Sequence, residues 1–127
     1  MKLGLQIILA LLSLIPLGFG ALGVLGGAAR FVPLDAAIAP LDSQFRFLSA
    51  LYVGVGVLIW RIIPSVEKHG WIMSTLIAAI FAGGLARLYS AALTGETPPL
   101  MIAATGLELA SPALILWQRA VARRSRA

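Results

Sequence analysis

LGLQIILALLSLIPLGFGALGVLG, residues 3–26, holds no ionisable side chain. At 1.5 Å of rise per residue, a helix over this stretch is about 36 Å long, more than the roughly 30 Å of a bilayer's hydrocarbon core. The stretch therefore reads as a spanning helix. Lys2 ahead of an apolar run is also how a secretory signal peptide opens, but this run exceeds the roughly 7 to 15 residues of a signal core. Pro16 lies inside it and is expected to bend the helix, which a membrane tolerates where neighbours satisfy the carbonyl that proline frees.

Three more runs of spanning length follow, at about 44–63, 70–92 and 98–118. The second begins after Leu41-Asp42-Ser43-Gln44, with Asp42 or Ser43 as the N-cap, and ends at Pro64. The third starts at Gly70-Trp71 and is stopped by Thr94-Gly95-Glu96-Thr97. The fourth opens on Pro98-Pro99, suited to a first helical turn, and reaches Trp117-Gln118-Arg119, with Ser111-Pro112 expected to loosen it locally. Residues 27–43 carry Phe31, Val32, Leu34, Ile38 and Leu41 between Pro33 and Pro40, the pattern of an outer interfacial segment. The whole is 60% hydrophobic and 12% charged, with a mean hydropathy of +0.96. A soluble domain carries roughly twice that charged fraction. The expected fold is all-α: one polytopic transmembrane domain over 1–127, a four-transmembrane-helix bundle.

The cations set an expected orientation. Lys2, Arg61, Lys68, Arg119, Arg123, Arg124 and Arg126 fall on one side of a four-span arrangement, and Arg30 on the other. The positive-inside rule then makes both termini cytoplasmic, in the inner membrane of a bacterium, and it puts Trp60, Trp71 and Trp117 at that same interface. The net charge of +5 points to anionic membrane lipids as partners. Nucleic acid is not indicated, because no soluble module accompanies the basic tail.

Lipid removes the hydrophobic drive between helices, so small residues that let backbones approach matter. Gly23 and Gly27 make a GxxxG, Ala78, Ala82, Ala86 and Ser90 make a smooth stripe on the third helix, and Gly106 and Ala110 make a GxxxA. These are expected to pack within the bundle, with a homo-oligomer or a partner-binding face as the alternative.

Ionisable residues inside a span cost about 2.5 to 3.5 kcal/mol each on insertion scales, so those present need partners or a task. Arg46 is about 22 Å along its helix from Arg61, and Arg87 about 24 Å from Trp71, placing both in the outer third. Glu108 is about 13 Å from both Pro99 and Trp117, near the midplane. One or both arginines are expected to reach it, in the bidentate manner arginine favours. Gln44, Tyr52, Ser90 and Thr105 lie at compatible heights, so the seven residues Gln44, Arg46, Tyr52, Arg87, Ser90, Thr105 and Glu108 form the candidate polar cluster. Such a cluster serves either as a register-fixing ion pair or as a binding pocket. His69 reads as a solvated loop residue. Asp35, Asp42 and Glu96 lack metal-ligand spacing, so no metal site is assigned.

Leu41-Asp42-Ser43-Gln44-Phe45-Arg46-Phe47-Leu48, Phe81-Ala82-Gly83-Gly84-Leu85-Ala86-Arg87-Leu88-Tyr89-Ser90 and Gly106-Leu107-Glu108-Leu109 together resemble the bacterial membrane family catalogued as domain of unknown function 4345. The resemblance covers nearly the whole chain and is most specific in D-S-Q-F-R-F and F-x-G-G-x-x-R-x-x-S. It implies a small four-span bundle, with Arg46, Arg87, Ser90 and Glu108 where the family pattern keeps its polar residues, and it lends no catalytic mechanism.

The residues exclude much chemistry. Without cysteine there is no disulfide, thiolate metal site or cysteine nucleophile, and one histidine makes neither a multi-histidine zinc site nor a bis-histidine haem pair. No nucleophile with a positioned base and no phosphate loop is present, so no catalytic residue is assigned, an enzyme is not favoured, and no cofactor is indicated. The leading expectation is a protein that binds a lipophilic or amphiphilic ligand at the Arg/Glu cluster. The alternatives are a structural accessory subunit of a larger membrane complex and a small proton-coupled transporter working through Glu108.

Overall fold

A computed structural model describes residues 1–31 and 39–125. Among them there is no strand; five helices follow in order, α1 (Lys2–Gly26), α2 (Ala39–Ile62), α3 (Gly70–Thr94), α4 (Pro99–Ala110) and α5 (Pro112–Arg124). With α4 and α5 taken as one segment, four helices are long and apolar enough to cross a membrane. The chain divides into two compact units, Gln6–Pro64 and Met1–Leu5 with Ser65–Ala127.

The surface is inverted relative to a soluble protein. Leu25 is 82% exposed and Leu116 69%, whereas Ser13 is fully buried and Gln118 only 3% exposed. Many large aliphatic side chains face outward while Ser13, Ser49, Thr105, Ser111 and Gln118 are buried beside the aliphatic core, an arrangement that suits lipid and would aggregate in water.

In the Gln6–Pro64 unit, α1 buries Leu9, Ser13, Pro16, Gly20 and Gly23 along one edge at helical spacing. Glycine is required there by closeness. A Cβ at Gly20 would lie 2.8 Å from the Ser49 carbonyl oxygen, and one at Gly23 would collide with the Ser49 hydroxyl. The helix continues through Pro16. Two side chains tie α1 to α2: Trp60 Nε1–H donates to Ser13 Oγ (2.6 Å), whose hydroxyl donates to the Ala10 carbonyl (2.6 Å), and Gln6 Nε2–H donates to the Ile63 carbonyl (2.9 Å). The Trp60 indole thus has a protein partner.

The second helix starts at Ala39, five residues ahead of expectation, so Asp42 lies in its first turn and neither it nor Ser43 is the N-cap. The reason is tertiary: the Asp42 carboxylate is engaged by Arg46 and by the Ala28 N–H of the turn after α1, as described below. Of the segment 27–43, Gly27 is left-handed (φ 64°), Ala28–Arg30 form a 3₁₀ turn and the residues from Ala39 belong to α2. Its other residues, Asp35 among them, fall outside the described ones apart from Phe31, which lies between Phe19 (6.4 Å, centroid to centroid) and Phe45 (5.4 Å).

After α2, a 3₁₀ segment over Ile63–Lys68, part of the other unit from Ser65 on, leads into α3. Its Val66 carbonyl accepts a 3.0 Å bond from Gln118 Nε2 of α5, and Glu67 pairs with Lys2 at 3.0 Å. His69 is partly buried, with Nδ1 2.9 Å from the Ser65 carbonyl, so it is not simply a solvated loop residue. Helix α3 ends on left-handed Gly95, whose N–H reaches the Ala91 carbonyl (2.9 Å). Between α4 and α5, Pro112 has no N–H for the Glu108 carbonyl four residues back. The Ser111 hydroxyl takes its place (2.6 Å).

Gly23 and Gly27 are buried at close approaches, as expected of the GxxxG, but on α3 and α4 the small-residue packing follows a different edge from the expected one. Helix α3 buries Met73, Ile77 and Gly84, while Ala78, Ala82, Ala86 and Ser90 are exposed, as are Gly106 and Ala110. The buried edge includes the one α3 glycine whose Cβ would be crowded by α4; Gly106 has open space around it.

Candidate functional site

The seven candidate residues divide between the two units. Gln44, Arg46 and Tyr52 belong to the α1–α2 unit; Arg87, Ser90, Thr105 and Glu108 belong to the α3–α5 unit.

In the first, Asp42 and Arg46 stand four residues apart on α2 and therefore share a face. Arg46 Nε–H donates to Asp42 Oδ2 (2.8 Å), and Nη1–H donates to the carbonyls of Val24 (2.6 Å) and Leu25 (3.2 Å) in the last turn of α1. Asp42 Oδ1 accepts the Ala28 N–H (2.8 Å). The pair thus closes both kinds of orphan at a helix end: arginine satisfies carbonyls that α1 leaves open, and aspartate takes the amide that opens the next turn. Gly27 makes room for it. Its positive φ favours glycine, and a Cβ there would strike both the Asp42 carboxylate and the Arg46 guanidinium. Gln44 is exposed and Tyr52 half-buried on the same helix.

In the second unit the ion pair joins two helices. Gly84 lets α3 approach α4, since a Cβ there would lie 3.0 Å from Glu108 Cβ. Arg87, nearly one turn on, donates its Nε–H to both Glu108 oxygens (2.9 and 3.0 Å). Its Nη1–H points to Met101 Sδ (3.1 Å), a weak acceptor. The expected two-nitrogen fork is not formed, and among the described residues Nη2 has no hydrogen bond. Glu108 is the more buried partner, 15% exposed against 39% for Arg87.

Arg87 of this pair borders a groove of about 370 Å³ between the end of α3 and the start of α4. Arg87, Ser90 and Thr105 give it hydrogen-bonding groups; Leu88, Met101 and Ile102 give it apolar wall. Ser90 is exposed and Thr105 buried. The geometry suits a molecule with a small polar end and an apolar body.

Sequence reasoning missed Asp42 as the carboxylate of Arg46, although the i, i+4 spacing was there to find it. Met101 and the role of Gln118 had no such signal.

The family described as Domain of unknown function (DUF4345) matches residues 4–118. No curated protein and no solved structure matches the chain. Two of the family-like segments, around D-S-Q-F-R-F and F-x-G-G-x-x-R-x-x-S, are those that supply the helix-end clasp and the interhelical pair. The chain belongs to the DUF4345 family.

Proposed function

We propose that this protein is a multi-pass protein of a bacterial inner membrane, with both termini cytoplasmic, that binds a lipophilic or amphiphilic ligand at the Arg87–Glu108 groove. One observation carries the reading: a guanidinium with an unused Nη2 donor, held by a carboxylate, opens onto a groove with apolar walls. A purely register-fixing pair gains nothing from an accessible donor. Arg87 supplies hydrogen bonds and local positive potential to the ligand's polar end, Thr105 and Ser90 supply hydroxyls, and Glu108 fixes the guanidinium plane. Arg46 has a lesser part in the reading: its Nε and Nη1 are taken by Asp42 and two backbone carbonyls, and it does not line this groove.

Native mass spectrometry of the full chain released from lipid nanodiscs tests this. A small-molecule adduct is expected on the wild type, and Ile102→Trp, which fills the groove from an exposed position, is expected to remove it while the helical circular dichroism persists. An adduct that survives Ile102→Trp unchanged would contradict the proposal.

The exposed Ala78, Ala82, Ala86 and Ser90 edge of α3 supports a second reading, an accessory subunit or homo-oligomer that docks through this face. Crosslinking in membranes through Ala82→Cys separates the two: a homodimer or one constant larger product favours docking, and none favours the isolated binding protein.

A further inference from the structure

A second recess lies elsewhere in the α3–α5 unit and shares no residue with the Arg87 groove. It has a volume of about 510 Å³, and Lys68, Trp71, Ser74, Arg119 and Arg123 line it. Its charge is unbalanced. Glu67, the one acid that lines it, is paired with Lys2 at 3.0 Å. Lys68, Arg119 and Arg123 are exposed and make no hydrogen bond or ion pair among the described residues. One carboxylate, shared between Lys2 and Lys68, thus faces three lining cations, and the recess keeps an excess of positive charge.

The position of the recess narrows what fills it. It sits where α3 begins and in the second half of α5, at one end of two helices long and apolar enough to cross a membrane. Trp71, 75% exposed beside it, is the side chain that settles at headgroup depth. Arginine and lysine around a concave site, with an indole alongside and apolar helix running away from it, match a phosphate joined to acyl chains. A flat basic tail would attract an anionic surface without holding one molecule; an open recess of this volume can seat a headgroup.

We infer that the recess bordered by Lys68, Trp71, Arg119 and Arg123 is a binding site for the phosphate headgroup of an anionic phospholipid. The inference does not depend on the Arg87 groove being a ligand site.

The test titrates the full chain, in maltoside micelles, with dioctanoyl phosphatidylglycerol and reads bound lipid by native mass spectrometry. Saturable binding of one lipid is expected, with dioctanoyl phosphatidylcholine binding at least tenfold more weakly because its headgroup carries no net charge. Arg119→Gln/Arg123→Gln is expected to weaken phosphatidylglycerol about tenfold or more, and Lys68→Gln roughly threefold. Arg61→Gln, which removes an exposed cation outside the recess, should leave binding unchanged. All four arginine and lysine positions are exposed, and unchanged circular dichroism confirms that the variants fold. Equal binding of the two lipids, no response to the double variant, or the same loss in Arg61→Gln would overturn the inference. Displacement by millimolar inorganic phosphate would also overturn it, by assigning the recess to the free ion.

Discussion

The two units each hold an arginine–carboxylate pair, and the pairs differ in what surrounds them. Asp42–Arg46 is local, four residues apart on one helix, and its remaining hydrogen bonds go to backbone in the last turn of α1 and the turn that follows it. Arg87–Glu108 joins two helices, its side chains meet no backbone group among the described residues, and Arg87 lines a groove. Residue type alone does not decide whether a charged group in an apolar helix serves the fold or a ligand. The decision rests on whether unsatisfied backbone groups lie within reach: where they do, they take the guanidinium, because an orphan carbonyl in an apolar setting is costly.

The largest expected effect sets the two left-handed glycines against each other. Gly27→Ala combines a strained φ with collision into the Asp42–Arg46 pair and should lower stability by about 3 kcal/mol. Gly95→Ala meets a similar φ in open space, and in the αL well (ψ 2° against -167° at Gly27) that alanine can enter, so it should cost only about 1 kcal/mol. Unfolding of both in mixed micelles measures the difference; equal losses would show that the clasp does not constrain Gly27.

Next comes Glu108→Ala. It strands Arg87 against apolar side chains and should destabilise by about 2 kcal/mol, less than for a fully buried pair because Arg87 is partly exposed. Exchanging the partners, Arg87→Glu with Glu108→Arg, should restore part of that loss in a double-mutant cycle.

Asp42→Ala should act locally. Hydrogen exchange at the Ala28 amide is expected to rise about tenfold as that donor loses its acceptor, while ligand adducts at the Arg87 groove stay unchanged. A matching loss of adduct would join the two pairs in one function.

Ser111→Ala is the smallest. The Glu108 carbonyl would keep only the 3.3 Å bond from the Ser111 amide, and the expected loss is about 0.5 to 1 kcal/mol. A larger loss would mean that the break between α4 and α5 is under strain.

Much of the helical framework was legible in the sequence because apolar runs bounded by proline, glycine and charge have few other solutions. Gly95 closes α3 and Pro99 opens α4 for reasons of backbone conformation that each residue carries with it. The start of α2 was not legible. Asp42 looks like an N-cap locally, and only the free amide of Ala28, supplied by another segment, draws its carboxylate away. The packing edge of α3 was obscured for a related reason: alanine at every fourth position marks a smooth face without saying whether protein or lipid lies against it, whereas Gly84 is singled out only by the approach of Glu108. Arg87 and Glu108 could be matched in height by counting residues, but the Met101 contact and the unused donor depend on side-chain paths that spacing does not specify.

The central claim is that the two arginines have different duties, and one paired measurement tests it most directly. Arg46→Gln and Arg87→Gln are each purified as the full chain and scored for thermal unfolding and for the ligand adduct in native mass spectra. Arg46→Gln is predicted to melt lower and keep the adduct, and Arg87→Gln to lose the adduct with a smaller change in melting. Loss of the adduct in Arg46→Gln alone, or its retention in Arg87→Gln, would contradict the account.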